Sequence, residues 1–535
     1  MKLNYKRTVC VGFAFFLICA FWQAYDNTIP LILTNKFGMS QTVSGVIMAL
    51  DNILALFMLP LFGALSDRTK TRMGRRTPYI LFGTVVAVAA FVGLSVVDGM
   101  QLKQIGDIAK IDDPAALEAI YDETAQQELL TPDGETFIPS HVFSKEEFTA
   151  IRSMTVEEEK AVTNPAYTKY VVPSRNAVIR RISSENRGTL VIFIALLLIA
   201  LISMATFRSP AVALMPDVTM KPLRSKANAV INLMGSAGGI LVLVLGMVFA
   251  TSAVRNSMMS YMTYFCVIAG VMLAALLIFM LTVREPQFVK EMEEQSRRFG
   301  LDEEENEDAA AESGSGNADA KNPAKEPGRA KLSAGQKRSM AFILASIVLW
   351  FAGYNAVTSK YSVYASTILH KDYNLTLIIA QAAAIVSYLP VGMIASKAGR
   401  KKTILAGVVM LAAAFGTAAF MRADSPTMLM NAMFALAGIA WATINVNSFP
   451  MVVEMCSGAD VGRYTGYYYT ASMAAQVMTP IFSGFLMDKL GMTVLFPYAV
   501  LFVAAAFVTM LFVKHGDSRP IVKKGLEALE DMDAD

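Results

Sequence analysis

The amino-acid sequence predicts an all-α membrane protein of twelve transmembrane helices in two sets of six, with an outer helical insertion between helices 3 and 4. Three observations predict it. Of 535 residues, 54% are hydrophobic and 17% charged, against about a quarter charged in an ordinary soluble domain. The charges gather in two blocks, residues 99–187 and 284–337, and in a few short loops. Between them run apolar stretches of about 20 residues, long enough to cross ~30 Å of hydrocarbon as helices. This pattern excludes a soluble enzyme, a disordered chain and a secreted disulfide scaffold. A net charge of +3 does not suggest a nucleic-acid partner, because the basic residues sit in short flanking loops.

The expected spans are residues 9–33, 42–65, 78–98, 188–214, 226–250, 260–283, 339–366, 375–396, 403–421, 427–453, 464–487 and 492–513. The first follows Lys2, Lys6 and Arg7, as a secretory signal would. Gln23, Asp26 and Asn27 interrupt the region where cleavage would occur, so an uncleaved helix is expected. Orientation follows from basic residues in short loops, which stay on the cytoplasmic side. Arg68, Lys70, Arg72, Arg75 and Arg76 follow span 2, Lys221, Arg224 and Lys226 follow span 4, and Lys397, Arg400, Lys401 and Lys402 follow span 8. All fall on the side of the N-terminus, as do Lys514, Arg519, Lys523 and Lys524, so both termini are expected in the cytoplasm.

The expected organisation is a six-helix bundle from 1–98 and 188–283, an extracytoplasmic insertion at 99–187, a cytoplasmic linker at 284–337, a second six-helix bundle at 338–513 and a cytoplasmic tail at 514–535. In the insertion, Asp113-Pro114 opens a helix-like stretch and Ser144-x-x-Glu147 has capping-box form, so a small helical subdomain is expected, without a direct transport role. The linker carries Glu303, Glu304, Glu305, Glu307 and Asp308 and then turns Gly/Ala/Pro/Lys-rich, which reads as a disordered tether. Cys10, Cys19 and Cys266 lie in apolar runs and Cys456 in a short loop, while His141, His370 and His515 are far apart. Neither a disulfide framework nor a metal site is expected, and no cofactor. No G-x-x-x-x-G-K-[ST] motif occurs, so ATP is not the expected driver.

The loop after span 2 carries Gly63, Asp67, Arg68, Gly74, Arg75 and Arg76, followed by Pro78. It resembles the cytoplasmic signature of the major facilitator superfamily, G-x-x-x-D-R-x-G-R-R, lengthened before its Gly-Arg-Arg part. That longer form is similar to the sucrose-transporter and glycoside–pentoside–hexuronide:cation symporter branch. A second copy, with Gly392, Gly399 and Arg400, occupies the matching loop of the second half, and Arg208 to Asp217 resembles the fourth helix of these symporters. The resemblance implies a major facilitator fold, alternating access, and a gate role for the loop motif, whose charge-assisted contacts can latch helix ends in one conformation and release them in another. It also shows departures. Melibiose-type permeases carry a sodium-binding D-x-x-x-D-P in helix two, where this chain has Ala55, Leu59 and Pro60. Their helix-four acid falls on Arg208. Plant sucrose transporters have an Asp near Leu201 and an Arg at Val212. Coupling to protons through other acids is therefore expected in place of sodium.

Charges inside a bilayer cost about 2.5–3.5 kcal/mol each on insertion scales, so the few present are informative. Asp26, Asp51, Arg208 and Lys360 stand out. They form either a structural ion-pair set or part of a site. Asp26 shares a helical face with Gln23, Asn27 and Pro30, and Asp51 adjoins Asn52; these two acids are the proton-carrier candidates. Substrate-facing candidates are Asp26, Asn52, Arg208, Asn232, Tyr354, Asn355, Lys360, Gln381, Asn445 and Gln476, with Asn232 equally suited to interhelical bonding. Aromatic rings pack on sugar C–H faces while amides read hydroxyls, which suits the set Trp350, Tyr354, Asn355, Lys360 and Tyr361 of span 7, with an interfacial position as the alternative for Tyr361. Tyr361 and Tyr364, and Tyr467 to Tyr469, suit an interfacial belt. The resemblance thus implies a monomeric plasma-membrane importer of a sugar, an oligosaccharide or glycoside, by proton symport. A carrier of another solute, such as a lysolipid or drug, and a transporter-like sugar sensor are the alternatives.

Overall fold

Each expected span lies on one long helix of the computed structural model, which describes residues 3–157, 160–220, 223–299, 334–453 and 461–514. In chain order the helices are α1 (Tyr5–Asn35), α2 (Gln41–Arg68), α3 (Thr77–Ile105), α4 (Pro114–Thr124), α5 (Pro139–Val142), α6 (Lys145–Ala150), α7 (Val172–Glu185), α8 (Gly188–Asp217), α9 (Arg224–Val248), α10 (Met262–Thr282), α11 (Glu285–Arg298), α12 (Ala334–Tyr364), α13 (Tyr373–Ala398), α14 (Arg400–Ala419), α15 (Thr427–Val453), α16 (Val461–Leu490) and α17 (Leu495–Leu511). Among the described residues, ten helices are long and apolar enough to cross a membrane. Of the twelve long helices, α13 is apolar over a shorter stretch, Tyr373–Tyr388, and α16 is diluted by Tyr, Ser and Thr. Cys456, most of the linker and the tail from residue 515 lie outside the described residues.

Three apolar cores form. The first gathers Phe21, Phe91, Phe193 and Phe265 from α1, α3, α8 and α10. The second gathers Trp350, Leu411, Ile444 and Phe496 from α12, α14, α15 and α17. The third lies in the insertion, where Leu117, Ile120, Phe148, Tyr167 and Ile179 are buried together. Asp113 caps α4 ahead of Pro114, and Ser144 and Glu147 close the expected capping box on α6. The insertion also holds two hairpins, β1 (Leu129–Leu130) with β2 (Thr136–Phe137) and β3 (Met154–Glu157) with β4 (Lys160–Thr163), both antiparallel. Thr131-Pro132-Asp133-Gly134 makes the first turn, with Gly134 at φ 91°, a conformation that favours glycine.

The two sets of six helices meet along three pairs: α2 with α16, α1 with α12, and α9 with α13. A Cβ on Gly45 would collide with the Pro480 carbonyl, and one on Gly484 with the Gln41 carbonyl, so α2 and α16 approach as closely as backbones allow. At the same end the Asp488 carboxylate accepts from Gln41 N at 2.7 Å, Thr42 N at 2.7 Å and Thr42 Oγ1 at 2.5 Å. Lys360 Nζ donates to Gln41 O at 2.7 Å. Thr251 bonds Tyr373 at 2.7 Å and Ser252 bonds Asp372 at 2.9 Å. All these cross-bundle contacts lie at the end that carries the insertion. The insertion itself reaches across: Met492 N donates to Pro132 O at 2.7 Å, Thr168 Oγ1 meets His370 Nε2 at 2.9 Å, and Gly134 abuts Leu490 and Gly491.

The linker begins as ordered helix. Arg7 pairs with Glu291 at 3.2 Å, donates to the Phe288 carbonyl and stacks on the Phe288 ring, which holds α11 against the start of α1. A wholly buried ion pair, absent from the sequence expectations, fixes the other end of the first set. Lys36 Nζ lies 2.5 Å from Asp98 Oδ1 and 2.6 Å from Met259 O, while Asp98 Oδ2 accepts from Tyr261 N at 3.0 Å. Removing one partner strands a buried charge, which costs about 3–5 kcal/mol, whereas replacing both with apolar groups can be neutral. Asp98→Ala is therefore expected to lower the thermal unfolding midpoint sharply, and Lys36→Met with Asp98→Leu to recover most of it; equal losses in the single and double variants would contradict this.

Candidate functional site

Helix α1 supplies one wall of a cavity of about 510 Å³ between the two sets of helices, with Trp22, Gln23 and Asp26 facing into it. Arg208 comes from α8, Gly239 from α9, Tyr354 from α12, Gln381 from α13 and Trp441 from α15. Tyr354 and Trp441 stack in parallel, ring centroids 3.6 Å apart. The Arg208 guanidinium lies 5.6 Å from the Trp22 ring centre. Gln381 Nε2 donates to Gln23 Oε1 at 2.5 Å across the cavity, and Gly239 leaves room for both amides.

A smaller polar pocket of about 120 Å³ adjoins, sharing Asp26 and Thr358 with the cavity. Asp51, Asn52, Asn355, Ser359 and Gln476 complete its polar lining, and Asn52 donates to Asp51 at 2.8 Å. Pro30 and Pro480 each follow a pocket residue by four positions. Proline has no N–H, so the carbonyls of Asp26 and Gln476 lose their helical partners beside the pocket.

The ten substrate-facing candidates divide. Asp26, Arg208, Tyr354 and Gln381 line the large cavity, and Asn52, Asn355 and Gln476 line the polar pocket with Asp51. Asn232 and Asn445 line neither; both are exposed, one turn from the lining residues Ser236 and Trp441 on the side away from the insertion. Lys360 is fully buried and serves the cross-bundle contact to Gln41 instead of the cavity. Among the described residues no direct salt bridge joins any two of Asp26, Asp51, Arg208 and Lys360, although Arg208 lies near enough to both acids to interact with them electrostatically. Tyr361 and Tyr364 are no interfacial belt: both are buried, and Tyr361 bonds Thr376 at 2.7 Å while lining the cavity. Tyr468 is buried against Ser448, whereas Tyr467 and Tyr469 are exposed. Trp22, Trp441 and Phe434 escaped the sequence reading, because an aromatic residue in an apolar run carries no signal of which side it faces.

The loop motif forms a charge network at the far end from the insertion. Arg75 and Arg76 pair with Asp217 at 2.7 and 2.8 Å, and Arg76 also with Asp67 at 2.5 Å. The buried Glu285 carboxylate accepts from the backbone N–H of Arg75, Arg76 and Thr77. Gly74, at φ 109°, lies so close to Glu285 that a Cβ would strike its carboxylate. Arg68 is exposed and outside this network, and Gly63 packs on Ser209. In the second copy a Cβ on Gly392 would meet open space, Gly399, at φ 94°, turns the chain from α13 into α14, where Arg400 begins, and Lys401 donates to the Leu511 and Val513 carbonyls.

The Major Facilitator Superfamily sequence model matches residues 183–387 and 362–530, and that of the MFS/sugar transport proteins matches residues 10–102. The chain belongs to the major facilitator superfamily. This bears out the resemblance to that superfamily carried by the loop motifs. A putative glycoside/cation symporter of Escherichia coli is 35% identical over 68 residues, which is 12% of this chain and spans only 15% of that protein. Among solved structures, the inward-open xylose transporter of Escherichia coli aligns with a TM-score of 0.57 and 16% identity, over 99% of this chain and 100% of that one. A bacterial homologue of the iron transporter ferroportin aligns at 0.59 and 12%, over 96% and 100%. A bacterial homologue of the human drug peptide transporters aligns at 0.55 and 9%, over 96% and 98%. These likenesses carry the fold. The family and the long apolar helices point to an integral multi-pass membrane protein of the transporter class.

The cross-bundle latch has a direct test. Asp488→Ala removes a charged acceptor of three hydrogen bonds, each worth about 1.5–3 kcal/mol, and ~3 kcal/mol already shifts a two-state ratio about 100-fold. Asp488→Ala and Gly484→Val are both expected to open the insertion end, measured as faster alkylation of a thiol placed at Thr34→Cys, a buried position beside the latch; unchanged labelling in both would remove the latch role.

Proposed function

We propose that this transporter imports a sugar, an oligosaccharide or glycoside, by proton symport and alternating access. It is a monomer of the plasma membrane with both termini cytoplasmic. The observation that carries this reading is the continuity of two unlike spaces, an aromatic-walled cavity with Arg208, Gln23 and Gln381, and a polar pocket with two carboxylates. Flat rings suit the C–H faces of a sugar, and a guanidinium with paired amides suits its hydroxyls. A lysolipid or drug carrier would have little use for the charge lining this cavity. The family model of sugar transport proteins and the glycoside/cation symporter relative support a sugar substrate and cation coupling.

Asp26 belongs to both spaces, so protonation there is felt by a bound solute. Asp51, held by Asn52, lies deeper in the same pocket. With the termini cytoplasmic, the conformation described here is inward-facing: the insertion end is latched, and Asn232 and Asn445 are exposed toward the cytoplasm.

In proteoliposomes preloaded with candidate sugars, the wild type is expected to show counterflow, and Arg208→Lys to lose most of it because a point charge cannot reproduce the planar fork. No counterflow across a broad disaccharide panel would sink the sugar reading. Asp51→Asn or Asp26→Asn is expected to abolish sugar-driven proton movement while sparing exchange at equal concentrations. Undiminished proton movement in both variants would place coupling elsewhere.

A further inference from the structure

A third cavity, of about 410 Å³, lies above the latch, between the insertion and both sets of helices. This is within the ~300–1,000 Å³ range of small-ligand sites. Asn35 and Gln41 line it from the first set, Asn176 and Arg180 from the insertion, Thr367 and Asp488 from the second set. Three amides, a guanidinium and the carboxylates of Asp488 and Glu128 line one space, and the Gln41 side chain gives it a further mark. Gln41 is 8% exposed, and its Oε1 is buried without a hydrogen-bond partner. An unpaired buried acceptor costs about as much as a lost hydrogen bond, and a turn of the Gln41 amide toward the cavity would let a donor there restore it. Asp488, on the same wall, is the acceptor that latches α2 to α16.

We propose that this vestibule is a second site for a polyhydroxylated ligand of the sugar class, filled from the outside, and that its occupant holds the outer gate shut. The orientation rests on the transporter reading above; the site itself rests on its lining. Because its walls come from both sets of helices and the insertion, the site is complete only while the latch is closed. A ligand that binds one state better than another shifts the equilibrium toward that state. Sugar in the vestibule therefore favours the inward-facing form and slows the return to the outward-facing form. The insertion then has a purpose in transport beyond its own folding: it roofs this site.

The test uses the full chain in lipid nanodiscs, with alkylation followed separately at native Cys19, on the central cavity wall, and at Ala177→Cys, on the vestibule wall. Melibiose, lactose, sucrose and maltose serve as probes. A sugar that binds both sites is expected to slow both reactions at least fivefold, with different half-protecting concentrations. Asn35→Ala with Asn176→Ala is expected to raise the half-protecting concentration at position 177 at least tenfold and leave that at Cys19 unchanged. Protection of Cys19 alone overturns the vestibule and leaves the sugar reading intact. Protection at 177 alone supports the vestibule and counts against the central site, and protection at neither overturns both. In proteoliposomes, wild-type uptake is expected to fall at high outside sugar and the double variant to lose that fall; simple saturation in the wild type overturns the gate-holding role.

Discussion

The carboxylate of Asp488 caps the first turn of α2 from the opposite set of helices, and the conformation of the whole molecule depends on this contact. A helix leaves its first N–H groups without internal partners, and its N-terminus favours negative charge. Ser40 serves one of these groups from within, and Asp488 serves two more from α16. Lys360 balances the arrangement by donating to the Gln41 carbonyl. Gly45 and Gly484 let the backbones come close enough for a short side chain to reach. Opening the latch exposes two amides and a carboxylate together, a cost that entering water must offset.

Carboxylates organise both ends of the molecule but differ in what they join. Glu285 collects three backbone N–H groups at the entrance to α3, and Asp217 gathers Arg75 and Arg76. These partners all belong to the first set of helices and to α11, so the network can travel with that set as a rigid unit. The Asp488 latch joins the two sets, so the proposed alternating access requires it to break. Rocking of one repeat against the other around a central site is the usual motion of folds built this way. The Lys36–Asp98 pair, again internal to the first set, keeps the α1–α2 turn in place while the latch beside it opens and closes.

Much of this was legible in the sequence because a bilayer makes charges conspicuous. The spans follow from uninterrupted apolar runs, and Asp26, Asp51 and Arg208 stand out as exceptions within them. The capping box at Ser144 and the Asp67 to Arg76 motif are local patterns, readable without a fold. What was hidden is non-local. Asp488 falls one residue beyond an expected span, where an acid looks like an ordinary flank, and nothing nearby points to Gln41. Lys360 looked like a cavity residue, since its partner carbonyl lies more than 300 positions away. Trp22 and Trp441 could not be told from core aromatics. The Thr131 to Gly134 turn did carry a hairpin signal, overlooked inside a stretch expected to be helical.

The stripe of α16 that faces α2 links the polar pocket to the latch. Gln476, Pro480, Gly484 and Asp488 recur every four residues, the spacing that forms a continuous ridge on a helix surface. Gln476 and Pro480 line the acid pocket, Pro480 and Gly484 make the tight backbone contacts, and Asp488 closes the gate. On α2 the order is matched by Gln41, Gly45 and then Met48, Asp51 and Asn52. Asp51 and the latch are thus about three turns apart on the same pair of helices, with no flexible segment between them. Under the proton-symport proposal, a change of charge at Asp51 would alter how α2 sits against Gln476 and Pro480, and a shift of α2 there would be carried along packed backbone to the amides that Asp488 holds. Coupling between a proton and the gate then needs no long pathway through the protein, only that α2 move as one body.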